Sequence, residues 1–301
     1  MLAQHAMRQV STYTGFAILF AVAAVMGGSV IRVATLCGGR SQASVSFALF
    51  PHNGALVTAT RLRTEKLRFS SDGKPNFVLV ECGSFSPPTT FHLRLLEDAR
   101  DAMVERGYHV AGGFLSPCHE KYGKKSLVSM HHRVNMVGLA LQDSSWLQVD
   151  SWECAQTDWI RTALVLRDRF QREVDRLHPG AKAMLVCGAD LLESFTAFHE
   201  NGEPVWSQED QETILGQCGA VCMNREGTNI GKVIAADPLL TRHSGNIVVF
   251  DPSVQNNVSS TLVRRLLQQG KSLKYLVHDH VLDYICAHDL GRFKAWGGKD
   301  E

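Results

Sequence analysis

The chain has 301 residues, 45% of them hydrophobic and 20% charged, and a formal net charge of +1. That is a globular composition, which excludes a wholly disordered or collagen-like chain, and the near-neutral balance argues against a general nucleic-acid coat. The eight cysteines are scattered and form no CxxC, so neither a zinc ribbon nor a dense disulfide scaffold is indicated.

The N-terminus differs from the rest. Residues 1–64 carry five arginines (Arg8, Arg32, Arg40, Arg61, Arg63), no lysine and no acid, which leaves 26 basic and 30 acidic residues for the remainder. Between Arg8 and Arg32 nothing is charged, and the apolar run FAILFAVAAVMGGSVI (16–31) is broken by Gly27, Gly28 and Ser29. An organellar targeting peptide explains the missing acids and the spread of Arg and Ser. A membrane anchor through residues 9–31 needs polar flanks to reach the length of a span. A secretory signal fits the length but suits the downstream chain poorly. The expected location is therefore an organelle, mitochondrion or plastid, or a membrane anchorage, and otherwise cytoplasm or nucleus. Residues 32–72 show no sustained period and read as linker, so 1–72 is expected to be a poorly structured extension.

From 73 onward apolar runs alternate with helical patterns. FVLVECG (77–83), YHVAGGFLSP (108–117), SWLQVDSW (145–152), AMLVCGAD (183–190), AVCMNR (220–225) and NIVVFD (246–251) read as strands. Between and after them, HLRLLEDARDAMVERG, VSMHHRVNMVGLAL (128–141), TDWIRTALVLRDRFQREVDRL (157–177), LLESF, SSTLVRRLLQQG and VHDHVLDYICAHDL read as helices. The expected fold is α/β, a doubly wound Rossmann-like parallel sheet with helices on both faces. Ligands of such sheets sit outside the carboxyl ends of the strands, which makes the residues there the candidates.

Five places concentrate chemistry. GSFSPPTTFH (83–92) combines a glycine turn, two prolines and a helix start, with Thr89 as a possible cap and His92 one turn on: an anion cradle, or a rigid turn with a surface histidine. VSSTLVRRLL (258–267) opens a second helix with Ser259, Ser260 and Thr261, and Arg264 follows; its plain alternative is a capped amphipathic helix with a solvated arginine. The loop SPCHEKYGKKSL brings Lys121, Lys124 and Lys125, of which Lys121 reads as a solubilising surface residue. Trp152, Trp159 and Trp206 can stack on a flat cationic ring or pack in the core, and Trp159 is the better stacking candidate. Asp190, just past a strand, can meet a ribose or the water shell of Mg2+, or simply cap LLESF. His131, His132, His278 and His280 read as structural, and no metal-ligand set, Walker loop, GxGxxG or GxSxG motif is present.

GSFSPPTTFHLRLLEDAR, SP(x)4YGKKSL, VDSWECAQTDWIRTALVL, LVCGADLLESF, VSSTLVRRLLQQGKSLKYLV and HDHVLDYICAHDL resemble, in order, sequence blocks of the eukaryotic nicotinamide mononucleotide adenylyltransferases, over roughly residues 74–292. The resemblance implies a nucleotidyltransferase domain over 73–301 that joins ATP to nicotinamide mononucleotide, or to nicotinate mononucleotide, giving NAD or its deamido form and pyrophosphate. It implies Mg2+ carried by ATP, no covalent intermediate and a possible homo-oligomer.

Carried over by position, the resemblance assigns Gly83, Ser84 and Phe85 to the dinucleotide site. It assigns His92, Lys125 and the run Ser260, Thr261, Leu262, Val263 and Arg264 to the phosphates. Trp159 is to stack on the pyridine with Thr162 nearby, and Gly188 and Asp190 are to hold the nucleotide. Val205 and Trp206 are to line the pyridine side, and Arg225 and Asn256 to complete the site, with His92, Arg264 and Lys125 catalytic. Three departures stand out: Ser86 replaces the family's usual asparagine, Gly123-Lys124-Lys125 replaces a run of three lysines, and AFHENGEP interrupts the stretch before Val205. These departures leave two other expectations open: a non-catalytic nucleotide-binding or chaperone-like protein, or transfer to another phosphorylated acceptor.

Overall fold

The computed structural model describes residues 31–32, 46–47, 61–123, 127–225 and 227–290. The chain divides into two compact units, 1–55 and 56–301. In the first, β1 (Ile31–Arg32) pairs antiparallel with β2 (Ser46–Phe47). The rest of the candidate targeting or anchoring segment lies outside the described residues. Among the described residues no helix is long and apolar enough to cross a membrane.

In the second unit the elements alternate. β3 (Asn76–Gly83) leads to α1 (Thr90–Glu105), and β4 (His109–Pro117) to α2 (Met130–Ala140). After β5 (Leu147–Val149) comes a helix in three parts, α3 (Thr162–Leu164), a π-helical stretch Val165–Gln171 and α4 (Arg172–Leu177). β6 (Lys182–Gly188) passes directly into α5 (Ala189–Ser194). Then follow α6 (Gln208–Glu212) with its π-helical continuation Thr213–Cys218, β7 (Ala220–Met223), α7 (Ile230–Ala236), α8 (Pro238–Arg242) and β8 (Ile247–Phe250). The chain continues through α9 (Ser260–Gln268) and α10 (Asp279–Ala287).

The sheet runs β5-β4-β3-β6-β7-β8, and every pair in it is parallel. The strand order reverses between β3 and β6, and a crevice opens at the strand ends at such a switch point. The strands are nearly continuous apolar runs because both faces are covered. One face packs Val78, Val80, Phe114, Phe170, Leu185 and Leu215. The other packs Leu79, Leu96, Met103, Val186 and Val221. A third cluster, Met136, Val263, Val281 and Ile285, joins α2, α9 and α10.

Two expectations change. The helix expected over 157–177 starts at Thr162, because the Asp158 carboxylate accepts from its neighbour Trp159 N at 2.8 Å and pairs with Lys121, while Arg161 is extended as the N-cap. The linker reading fails for residues 61–72. Leu62 and Leu67 are buried, Lys66 Nζ donates to the carbonyls of Leu141 and Leu147, and Arg68 N donates to Ala111 O. Two leucines among charged residues give no period, yet they suffice to hold this segment on the sheet edge.

Candidate active site

Gly83 ends β3, and the chain turns at once. A Cβ at Gly83 would lie 3.1 Å from the Phe85 ring, so any larger residue there would have to push that ring aside. Phe85 takes a left-handed φ of +44° and is buried under the loop, 5.2 Å from the His92 ring by centroids. Thr89 caps α1: its N–H donates to His92 Nδ1 at 3.0 Å, and its hydroxyl lies 2.8 Å from the same nitrogen. The imidazole is thereby held at the helix start, where the dipole favours an anion.

α9 begins beside this loop. Ser260 Oγ donates to Pro87 O at 2.8 Å, and Arg264 Nη1 donates to Ser86 O at 2.7 Å. Arg264 Nη2 also donates to Thr261 Oγ1 at 3.2 Å, which fixes the guanidinium. Burial pulls the Arg264 pKa below its ordinary value, but guanidinium remains a cation at neutral pH. The two helix beginnings are thus joined directly, through Ser260 to Pro87 and Arg264 to Ser86, and this brings the Arg264 guanidinium and the His92 imidazole to one cavity wall.

Both beginnings open into one cavity of about 1240 Å³ at the β3/β6 switch point. It is lined by Gly83, Ser84, His92, Trp159, Thr162, Gly188, Asp190, Val205, Trp206, Arg225, Asn256, Ser260, Thr261 and Arg264. Single small-molecule pockets span roughly 300–1,000 Å³, so this one has room for two nucleotides. The insertion AFHENGEP closes on itself, with Phe198 bridged to Pro204 and Val205 N donating to Ala197 O at 2.9 Å. Val205 and Trp206 are therefore still delivered to the cavity. Trp206 Nε1 donates to Ser194 Oγ at 2.9 Å and its ring rests on Phe195, whereas Trp159 stays 43% exposed near Tyr122. Trp152 is partly buried against the core.

β6 runs into α5 with Gly188 as N-cap, so Asp190 stands in the first turn and does not cap the helix. A Cβ at Gly188 would come within 2.7 Å of Asp190 Oδ1.

Three candidates do not line the cavity. Phe85 supports the loop from below. The Leu262 N–H donates to Ser259 Oγ and the Val263 N–H to Ser259 O, so neither donor is left for a phosphate, and the Val263 side chain is in the core. Lys124 and Lys125 lie outside the described residues. Lys121, expected to be plain surface, lines the cavity and pairs with Asp158 at 3.3 Å.

Sequence reading also missed Glu81, Tyr122, Arg161, Asp210 and Asn224, all of which line the cavity. Arg161 Nη1 pairs with Asp210 at 3.1 Å, and Asp210 is anchored by its N–H to the Ser207 hydroxyl. The S-x-x-D pattern at 207–210 was a readable helix start. Glu81 was a carboxylate inside an apolar strand, a signal in itself.

Residues 80–266 match the cytidylyltransferase-like family model. The chain is 40% identical to nicotinamide/nicotinic acid mononucleotide adenylyltransferase of Arabidopsis thaliana, over 76% of this chain and 96% of that protein. It is 41% identical to the enzyme of the same name from Oryza sativa subsp. japonica, over 74% and 88% of the two chains. It is 38% identical to nicotinamide/nicotinic acid mononucleotide adenylyltransferase 1 of Bos taurus, over 72% and 89%. The solved structure of Plasmodium falciparum nicotinic acid mononucleotide adenylyltransferase complexed with NaAD shares the fold, with a TM-score of 0.53 at 18% identity over 72% of this chain and 97% of that one. The strand order, the shared cavity of the two helix beginnings and these likenesses agree: the chain belongs to the nicotinamide/nicotinic acid mononucleotide adenylyltransferase family.

Proposed function

We propose that the protein transfers the adenylyl group of ATP to nicotinamide mononucleotide or nicotinate mononucleotide, releasing pyrophosphate and forming NAD or its deamido form. The observation that carries this reading is that His92 and Arg264, from two different helix beginnings, line the same cavity as Trp159 and Trp206.

The mononucleotide phosphate attacks the α-phosphorus of ATP, and pyrophosphate leaves. The cavity offers no side chain that must be acylated or phosphorylated on the way; its residues position two anions and stabilise charge. The Ser260 and Thr261 N–H groups, Arg264 and His92 hold the triphosphate, with Gly83 and Ser84 lining the turn beside it; the family resemblance adds Lys125. Arg264 meets the charge that develops on the transferring phosphate. Trp159 stacks on the pyridine, with Thr162, Val205 and Trp206 around it. Gly188 and Asp190 hold the ribose, and Arg225 and Asn256 complete the nucleotide side. A divalent cation carried by ATP would neutralise phosphate charge, and the Asp190 carboxylate, which lines the cavity, would hold its water shell.

An acceptor panel tests the reading. The purified full chain with ATP and Mg2+ is expected to use both pyridine mononucleotides and to ignore phosphorylated acceptors without a pyridine. Preference for a non-pyridine acceptor would overturn it. The acid-free N-terminal segment supports an organellar address. A tagged full-length chain should then localise differently from one lacking residues 1–60, and identical distributions would contradict that address.

A further inference from the structure

Glu81 lies on β3 two residues before the Gly83 turn, on the strand face that packs with Leu79 against α1. It lines the cavity together with Phe91, Leu95, Val186 and Met223, an apolar group into which it brings a single carboxyl. The residue is 6% exposed, and its Oε2 is out of reach of solvent with no hydrogen-bond partner among the described residues. A buried polar atom left without a partner destabilises the fold unless something completes it. Four buried side-chain atoms among the described residues are orphaned in this way, and Arg133 and His178, which hold two of them, do not line the cavity. Asn224, which does, donates through Nδ2 to Asp251 Oδ1 at 2.9 Å, and its orphaned Oδ1 can only accept.

Small-molecule sites are mostly apolar, with a few placed polar groups that fix the ligand's orientation. We propose that Glu81 is a specificity-determining residue that reads the base of ATP: its carboxyl, turned toward the cavity about its terminal torsion, accepts through the carbonyl oxygen from the exocyclic amine of adenine and donates its O–H to the adjacent ring nitrogen. This rests on the adenylyltransferase reading for the identity of the nucleotide. The pairing requires the neutral acid. Burial, with no compensating partner, pushes the Glu81 pKa well above its ordinary value and supplies that form. The ionised form would lack the donor and would add a negative charge to a cavity built for phosphates.

The test is calorimetric binding to the full chain, which does not depend on turnover. Glu81→Leu is expected to weaken ATP binding about tenfold, the size of losing two neutral hydrogen bonds. It should leave inorganic tripolyphosphate and nicotinamide mononucleotide binding within twofold. Glu81→Gln, which keeps a donor and an acceptor without charge, is expected to stay within threefold of wild type for ATP. Purine riboside triphosphate, which lacks the amine, should bind more weakly than ATP to wild type, and Glu81→Leu should erase that difference. If Glu81→Leu is poorly soluble, Glu81→Met serves in its place. Unchanged ATP affinity, or an amine preference that survives the substitution, would overturn the proposal. Failure of wild type to make NAD while these affinities behave as stated would count against the parent reading alone.

Discussion

Arg264 donates through Nη1 to the Ser86 carbonyl at 2.7 Å, so the guanidinium at the start of one helix is held by the loop that opens the other. Ser86 itself is fully buried, and its hydroxyl accepts from Val128 N at 3.3 Å. Where the family usually has asparagine, serine here still fixes the loop, and the contact to Arg264 uses only the backbone. Substituting His92 or Arg264 by alanine should lower kcat by about a hundredfold or more, the scale of losing one preorganised charge contact. Ser86→Ala should lower it by less than tenfold, because the carbonyl remains. Steady-state NAD formation checks all three; a Ser86→Ala loss as deep as that of Arg264→Ala would show the hydroxyl to be the critical group.

Trp159 is 43% exposed, so its removal takes little from the core. Trp159→Ala should raise KM for the mononucleotide roughly tenfold while changing KM for ATP less than twofold, and thermal melting should barely move. Parallel kinetics against each substrate distinguish this from a general loss of site shape, which would raise both constants.

Gly188 has an ordinary extended backbone, so alanine fits its dihedrals, but the new Cβ would meet Asp190 Oδ1 at 2.7 Å. The displaced carboxylate should weaken nucleotide binding by about tenfold without unfolding the chain. Dissociation constants for ATP and the mononucleotide, alongside a melting curve, provide the check.

Arg169 and Asp150 form a buried pair at 2.6 Å, 3% and 2% exposed, and Arg169 Nη2 also holds the Arg61 carbonyl at 3.0 Å. Arg169→Met strands the Asp150 charge and releases the start of the 61–72 segment. A loss of about 3–5 kcal/mol is expected in denaturant unfolding. A change under 1 kcal/mol would show that Asp150 finds another partner.

Glu153, beneath the β4 end, accepts from Ser116 Oγ at 2.7 Å, and burial lifts its pKa to about 7. Because the folded value lies above the unfolded one, the folded chain binds the extra proton. Stability from this group is complete below the unfolded value near 4.5 and is lost as pH rises through about 7. Glu153→Gln should therefore flatten that part of the stability profile and make the chain more stable than wild type at pH 8. Unfolding free energies measured between pH 5 and pH 8 test this, and parallel profiles for the two proteins would contradict it.

The six sheet strands were legible because strands covered on both faces are apolar runs that end at turn residues. The helix beginnings of α1 and α9 were legible from their caps. Residues 61–72 were not, since two buried leucines among charges carry no period and only the sheet edge gives them a place. The helix α6 escaped because all five of its residues are polar. Within the site, residues at strand ends and helix starts could be named in advance, but Arg161 and Asp210 meet only through tertiary packing. Leu262 and Val263 were assigned to phosphate from their position alone, and the Ser259 cap has already taken their N–H groups.

The most direct measurement is NAD synthesis by the purified full chain, wild type beside Arg264→Ala, with saturating ATP, Mg2+ and nicotinamide mononucleotide. Wild type should release NAD and pyrophosphate in equal amounts, and the variant should still bind ATP yet turn over about a hundredfold more slowly or worse. Equal turnover by the two proteins, or ATP binding by wild type with no NAD formed, would contradict a shared phosphate grip built from two helix beginnings.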